Sequence, residues 1–160
     1  MRTIDGAGSA RGLRFAIVVS KYNDFVTDRL QTGALAALTH REVLDADVTV
    51  VSVPGAFEIP AAARLAARSG QFDGIVCLGC LIRGATPHFE YISSAVAHGL
   101  TSASGETGIP MAFGVLTVNS AEEALERAAD GPSNKGWEAA TATIEMALIA
   151  RALAAPAAKR

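Results

Sequence analysis

Aromatic residues are scarce in this chain of 160 residues: six Phe, two Tyr and one Trp. A core with so few large rings must close on aliphatic and small side chains. Half of the sequence is hydrophobic, and alanine is abundant. That composition suits close helix–sheet packing in one domain and excludes a disordered chain. Excess charge is missing too. A formal net charge of −2 gives no electrostatic basis for binding nucleic acid or an anionic membrane. No apolar run is long enough to span a bilayer. The opening "MRTIDGAGSARG" lacks the apolar core of a signal peptide, so the cytoplasm is the expected location. Cysteine is limited to Cys77 and Cys80. Their CxxC spacing invites a disulfide or half a zinc site, but it falls in an apolar run that reads as a strand. Three steps along a strand cover about 10 Å, and a disulfide needs its Cα atoms within about 7 Å. Positions i and i+3 also face opposite sides of a sheet. No second CxxC or HxxxH supplies further ligands, so two free, buried thiols and no metal are expected. There is no P-loop, no GxGxxG and no GxSxG elbow.

What is present is a regular alternation. Four short, nearly continuous apolar runs read as parallel strands covered on both faces: Leu13–Ser20, Asp47–Pro54, Gly74–Ile82 and Ile109–Thr117. Helical segments separate them. "NDFVTDRLQTGALAALTH" sets Phe25, Leu30, Ala34 and Leu38 along one stripe. "FEIPAAARLAARSG" ends on Gly70, a suitable residue just past a helix. "PHFEYISSAVAHGLTSASG" follows the third strand, "SAEEALERAAD" opens on Ser120 as an N-cap, and "NKGWEAATATIEMALIARALAA" forms a long final helix. The rhythm predicts a three-layer, doubly wound α/β/α domain over residues 13–155, with a flavodoxin-like four-stranded parallel sheet. Residues 1–12 and 156–160 read as flexible tails.

Ligands of such a sheet bind beyond the carboxyl ends of its strands. Those ends read "SKYNDF", "VPGAFE", "IRGATPH" and "LTVNS", and the unusual residues cluster at the first three. In "IRGATPH", Thr86 suits an N-cap and Pro87 the first helical position. The amides near Ala85 and Thr86 then face outward at a helix N-terminus, which favours an anion such as phosphate. His88 stands beside that anion, where an imidazole can move a proton near neutral pH. The same pattern also fits a plain helix start with a surface histidine. Arg83 reads as a salt-bridge partner holding this loop. His40 and His98 carry no neighbouring signal. Glu58, at a helix start, can accept hydrogen bonds from ligand hydroxyls or serve the helix dipole alone. Tyr22 and Phe113 can stack on a flat heterocycle or belong to the core. Arg127 and Lys135 can together neutralise a phosphate, and each alone reads equally as a solvated cation.

These motifs, in this order, resemble the lumazine synthase family: "KYNDFVTDRLQTGA", "VPGAFEIP", "LGCLIRGATPHFEYI", "PMAFGVLT", "EEALERA" and "NKGWEAA". The likeness runs from Leu13 to Leu153. It implies condensation of 5-amino-6-(D-ribitylamino)uracil with 3,4-dihydroxy-2-butanone 4-phosphate to 6,7-dimethyl-8-ribityllumazine, the penultimate step of riboflavin biosynthesis. It implies neither metal nor organic cofactor, because the substrate's own amine forms the imine. Carried over by motif, Tyr22 and Asn23 fall at the ring-stacking segment, with Tyr22 in place of the usual Phe or Trp. Ala56, Phe57 and Glu58 fall on the segment that meets the pyrimidine and ribityl chain. Cys80, Leu81 and Ile82 meet the same substrate, largely through backbone groups. Ala85 and Thr86 match the phosphate turn, His88 the proton carrier, Phe113 a site-lining position, Arg127 the phosphate-binding arginine and Lys135 a cation near it.

The resemblance also implies partners: a homopentamer whose active sites lie between neighbouring subunits. Twelve such rings form a 60-subunit cage in some members. Cage-forming members often carry G-T-K-x-G-N-K-G between the last two helices, whereas "ADGPSNKG" keeps only Asn134-Lys135-Gly136 of it. Two other readings remain at this point: a lumazine- or flavin-binding relative without catalysis, and an archaeal-type riboflavin synthase that consumes the lumazine.

Overall fold

Phe15–Ser20, Val48–Val53, Gly74–Ile82 and Met111–Val118 form strands β1 to β4 in the computed structural model, which describes residues 1–156. All neighbouring pairs run parallel, in the order β2-β1-β3-β4. Among the described residues five α-helices accompany them: α1 (Asp24–His40), α2 (Ile59–Arg68), α3 (His88–Thr107), α4 (Ala121–Arg127) and α5 (Lys135–Ala154). This is the expected three-layer, flavodoxin-like arrangement.

The layers follow from strand periodicity. Phe15, Ile17 and Val19 of β1 and Val76, Leu78 and Cys80 of β3 face one side, where they pack with Leu30, Ala34 and Leu38 of α1 and Ile144 and Leu148 of α5. The alternate residues Ala16, Val18, Ile75 and Cys77 face the other side, against Ile59 and Ala63 of α2 and Val96 and Leu100 of α3. Each fully buried aliphatic side chain contributes about 1.5–3 kcal/mol by leaving water, so the two apolar faces of β1 and β3 anchor the molecule. Cys77 and Cys80 lie in opposite cores as free thiols. Burial pushes Cys80 up to about 11 and Cys77 further still. Neither is a thiolate at neutral pH, which removes the redox reading of the CxxC.

Double coverage extends from β1 and β3 to β4, whose Leu116 and Val118 join the α1–α5 core and whose Val115 joins the α2–α3 core. β2 is an edge strand, half-covered at Val48 and Val51 and exposed at Val50. β4 closes the opposite edge. Phe25 leaves the expected stripe of α1: Val26, Leu30, Ala34, Ala37 and Leu38 are buried, and Phe25 is exposed. Helix ends behave as the sequence indicates. Ser120 Oγ accepts from the Glu123 amide at 3.1 Å, and the Glu123 carboxylate accepts from the Asn119 amide at 2.8 Å. Gly70 follows α2 with φ +71°, a left-handed turn that glycine makes without strain.

Residues 1–12, expected as a tail, contain no helix or strand but are held in place. Ala10 is fully buried, and the Arg41 guanidinium donates to the carbonyls of Gly6 and Gly8, both at 2.8 Å. The expected tail at 156–160 lies outside the described residues apart from Pro156. Among the described residues no helix is long and apolar enough to cross a membrane.

Candidate active site

The strand order reverses between β1 and β3, so a crevice opens beyond their carboxyl ends. A cleft of about 970 Å³ occupies that place. It is walled by the segments that follow β1, β2 and β3 and by the first turns of α3. Tyr22, Asn23, Ala56, Phe57, Glu58, Leu81, Ile82, Thr86 and His88, all expected in the site, line it. Tyr22 and Phe57 are 72% and 62% exposed, which is costly placement for rings in an aromatic-poor chain unless something covers them.

Asn23 explains how the cleft is held open. Its backbone is left-handed, with φ 62° and ψ 45°, which turns the chain sharply from β1 into α1. Its Nδ2 donates to the Cys80 carbonyl at 2.8 Å. The end of β1, carrying Tyr22, is thereby tied to the end of β3. Asparagine suits this position because it tolerates the left-handed region and supplies the donor. Cys80 itself does not line the cleft, since its thiol points into the α1–α5 core.

The loop after β3 departs from expectation at one point. Thr86 is not an N-cap: α3 begins at His88, and Pro87 stands at the cap position with φ −72° and ψ 6°. Proline has no amide to bond, and no side chain closes this helix start. The first-turn amides of α3, beginning at His88, therefore carry the anion-favouring character assigned to Ala85 and Thr86. Ala85 is exposed beside the cleft, between its lining neighbours Gly84 and Thr86. His88 is exposed at this helix start, within the cleft wall. Arg83 is a structural partner, as its surroundings in the sequence suggest. It forms an ion pair with Glu90, donates from Nε to Asn119 Oδ1 at 3.1 Å and lies 4.4 Å over the Phe89 ring.

Phe113, Arg127 and Lys135 are elsewhere. They line a second groove of about 550 Å³ along the free edge of β4, beside α4 and α5. Arg127 pairs with Glu123 at 3.2 Å, and Lys135 Nζ with Glu138 at 2.8 Å. No residue lines both grooves. One chain thus places Arg127 and Lys135 in a different groove from His88. Lys135 is the first residue of α5 rather than part of a loop, because Asn134 caps that helix through Gly136 and Trp137. Several lining residues were not expected from the sequence, Tyr91 and Glu138 among them. Tyr91 lies one helical turn beyond His88, and Glu138 one turn beyond Lys135, so helical spacing from a recognised residue was the signal for each.

Fold and clefts together define a flavodoxin-like α/β protein with two grooves of small-molecule size. A family model described as 6,7-dimethyl-8-ribityllumazine synthase matches residues 12–151. The 6,7-dimethyl-8-ribityllumazine synthase of Syntrophus aciditrophicus (strain SB) is 50% identical over 147 residues, covering 92% of this chain and 96% of its own. The protein of the same name from Desulfatibacillum aliphaticivorans is 47% identical over 149 residues, covering 93% and 96%. The chain belongs to the 6,7-dimethyl-8-ribityllumazine synthase family, transferases of riboflavin biosynthesis.

Proposed function

We propose that this protein joins 5-amino-6-(D-ribitylamino)uracil to 3,4-dihydroxy-2-butanone 4-phosphate, in the cytoplasm, at a site made by two copies of the chain. The 5-amino nitrogen attacks the ketone carbon, and the imine forms with loss of one water. Removal of the C3 proton then expels phosphate from C4. The resulting enol returns to a carbonyl, the ribitylamino nitrogen closes on it, and a second water leaves. One lumazine, one phosphate and two waters account for all atoms of the two substrates. The protein's work is to hold the reactants and move protons.

The first cleft supplies the ring and proton chemistry. Tyr22 and Phe57 offer flat surfaces for the pyrimidine, and Glu58 accepts from the ribityl hydroxyls. His88 takes the C3 proton and returns protons to the leaving water. The helix start at His88, with the Ala85–Thr86 turn, favours the phosphate on that side. The second groove supplies Arg127 and Lys135 for the same phosphate and Phe113 for the ring.

The observation that carries the composite site is the division of these residues between two grooves with no shared wall. Chemistry that needs an imidazole and a phosphate-binding arginine together requires the grooves to meet. A neighbouring copy in a homopentamer supplies the missing half, with the first cleft of one copy facing the second groove of the next. The exposed Tyr22, Phe57 and Phe113 then gain cover.

The test of activity mixes purified protein with the two substrates and follows lumazine absorbance and fluorescence. A control without enzyme is essential, because the condensation proceeds slowly unaided. Clear acceleration is expected. A folded oligomer that gives none, beside an active reference enzyme, would overturn the reading. Tight lumazine or flavin binding without turnover would then favour a non-catalytic relative.

A further inference from the structure

Asn134 is 2% exposed, one of very few buried polar side chains in the described chain. A carboxamide has two donor and two acceptor positions, and burial makes any idle one costly. Here all four are used. Oδ1 accepts from the amides of Gly136 at 2.8 Å and Trp137 at 3.2 Å, which caps α5. Nδ2 donates to the Ala128 carbonyl at 3.0 Å and to the Arg29 carbonyl, in the second turn of α1, at 3.2 Å.

The surroundings are shaped for this contact. A Cβ at Gly33 would overlap the Asn134 carboxamide, and a Cβ at Gly136 would overlap the Leu30 carbonyl. Two glycines therefore let α1 seat directly on the start of α5. The consequence lies in the chain neighbours. Asn134 immediately precedes Lys135, and the Ala128 carbonyl it holds immediately follows Arg127. One side chain thus ties together the two backbone points from which the cations of the second groove project, and fixes both to α1.

We infer that Asn134 is a positioning residue: it holds Arg127 and Lys135 at the spacing that a phosphate on the butanone substrate requires, without touching substrate. This rests on the proposed reaction. An ordinary cap would need only the oxygen. The donations to Ala128 and Arg29 are what set the groove.

The test uses the assembled protein and two variants. Asn134→Ser retains a side-chain oxygen for the cap and loses both donations, and Asn134→Ala loses everything. KM for each substrate is measured separately, with inhibition by inorganic phosphate as a second readout and Trp137 emission as the report on folding. KM does not depend on how much of the sample is folded, so partial unfolding does not obscure the result. Both variants should raise KM for the butanone phosphate about ten-fold and weaken phosphate inhibition in parallel, with KM for the ribitylaminouracil changed by less than about two-fold. A purely structural residue would lower active enzyme and leave both KM values alone, and that result would overturn the inference. Restoration of the parental KM by serine would also overturn it, since the cap would then suffice. If the unsubstituted protein gives no acceleration, the proposed reaction fails first and the inference falls with it.

Discussion

His88 and Arg127 place separable demands on catalysis, and single substitutions should show them. His88→Ala removes a proton carrier. It should slow turnover at saturating substrates by at least about ten-fold, toward the unaided rate. Arg127→Ala removes a bidentate partner of phosphate. It should raise KM for the butanone phosphate about ten- to a hundred-fold and leave KM for the ribitylaminouracil nearly unchanged. Steady-state kinetics against each substrate distinguishes the two. Asn23 offers a stability test of the cleft wall. Asn23→Ala loses the bond to Cys80 and strains the left-handed backbone, at about 2 kcal/mol in all. Asn23→Gly relieves the strain and should lose about 1 kcal/mol, by guanidinium unfolding. The sequence indicated a role for Asn23 through the motif around it. Its bond to a carbonyl 57 residues away was not legible, because nothing local marks a long-range partner.

Strand elements were legible because their apolar pattern does not depend on neighbours. The opposition of Cys77 and Cys80 follows from period-two alternation, and the two cores bear it out. The start of α3 was not legible, because "ATPH" satisfies two helix starts one residue apart, and the structure uses the later one. The exposure of β2 was hidden too, since an edge strand meant for partial cover carries the same Val-rich sequence as a central one. The buried thiols give this scale its prediction. Folding raises the Cys80 pKa from 9.0 to about 11, so the folded state holds its proton more tightly than the unfolded chain. The associated stability is complete below about pH 9 and is lost as pH rises through about 11, with Cys77 extending the loss. The urea midpoint should fall over that range, and Cys80→Val should flatten the fall. At pH 8 a thiol reagent should modify neither cysteine until the protein is unfolded.

At the scale of the whole molecule, the motif resemblance implied sites between neighbouring subunits, but the motifs did not say which of the expected residues share a groove within one chain. Linear order carries no record of which groove a residue lines: Thr86 and His88 face one, Phe113 and Arg127 the other. A ring of five copies at 16.5 kDa each has a mass of about 82 kDa, which light scattering measures directly. Mass alone does not show where catalysis occurs. The most direct test co-expresses the His88→Ala and Arg127→Ala chains and purifies the mixed assemblies through distinct tags. Activity is then measured at low butanone phosphate, where each parent is nearly inactive. In random mixing, half of the copies offer an intact first cleft and half of their neighbours an intact second groove. About a quarter of the unsubstituted activity should return. Activity no greater than that of the two parents would contradict the account and put the whole site within a single chain.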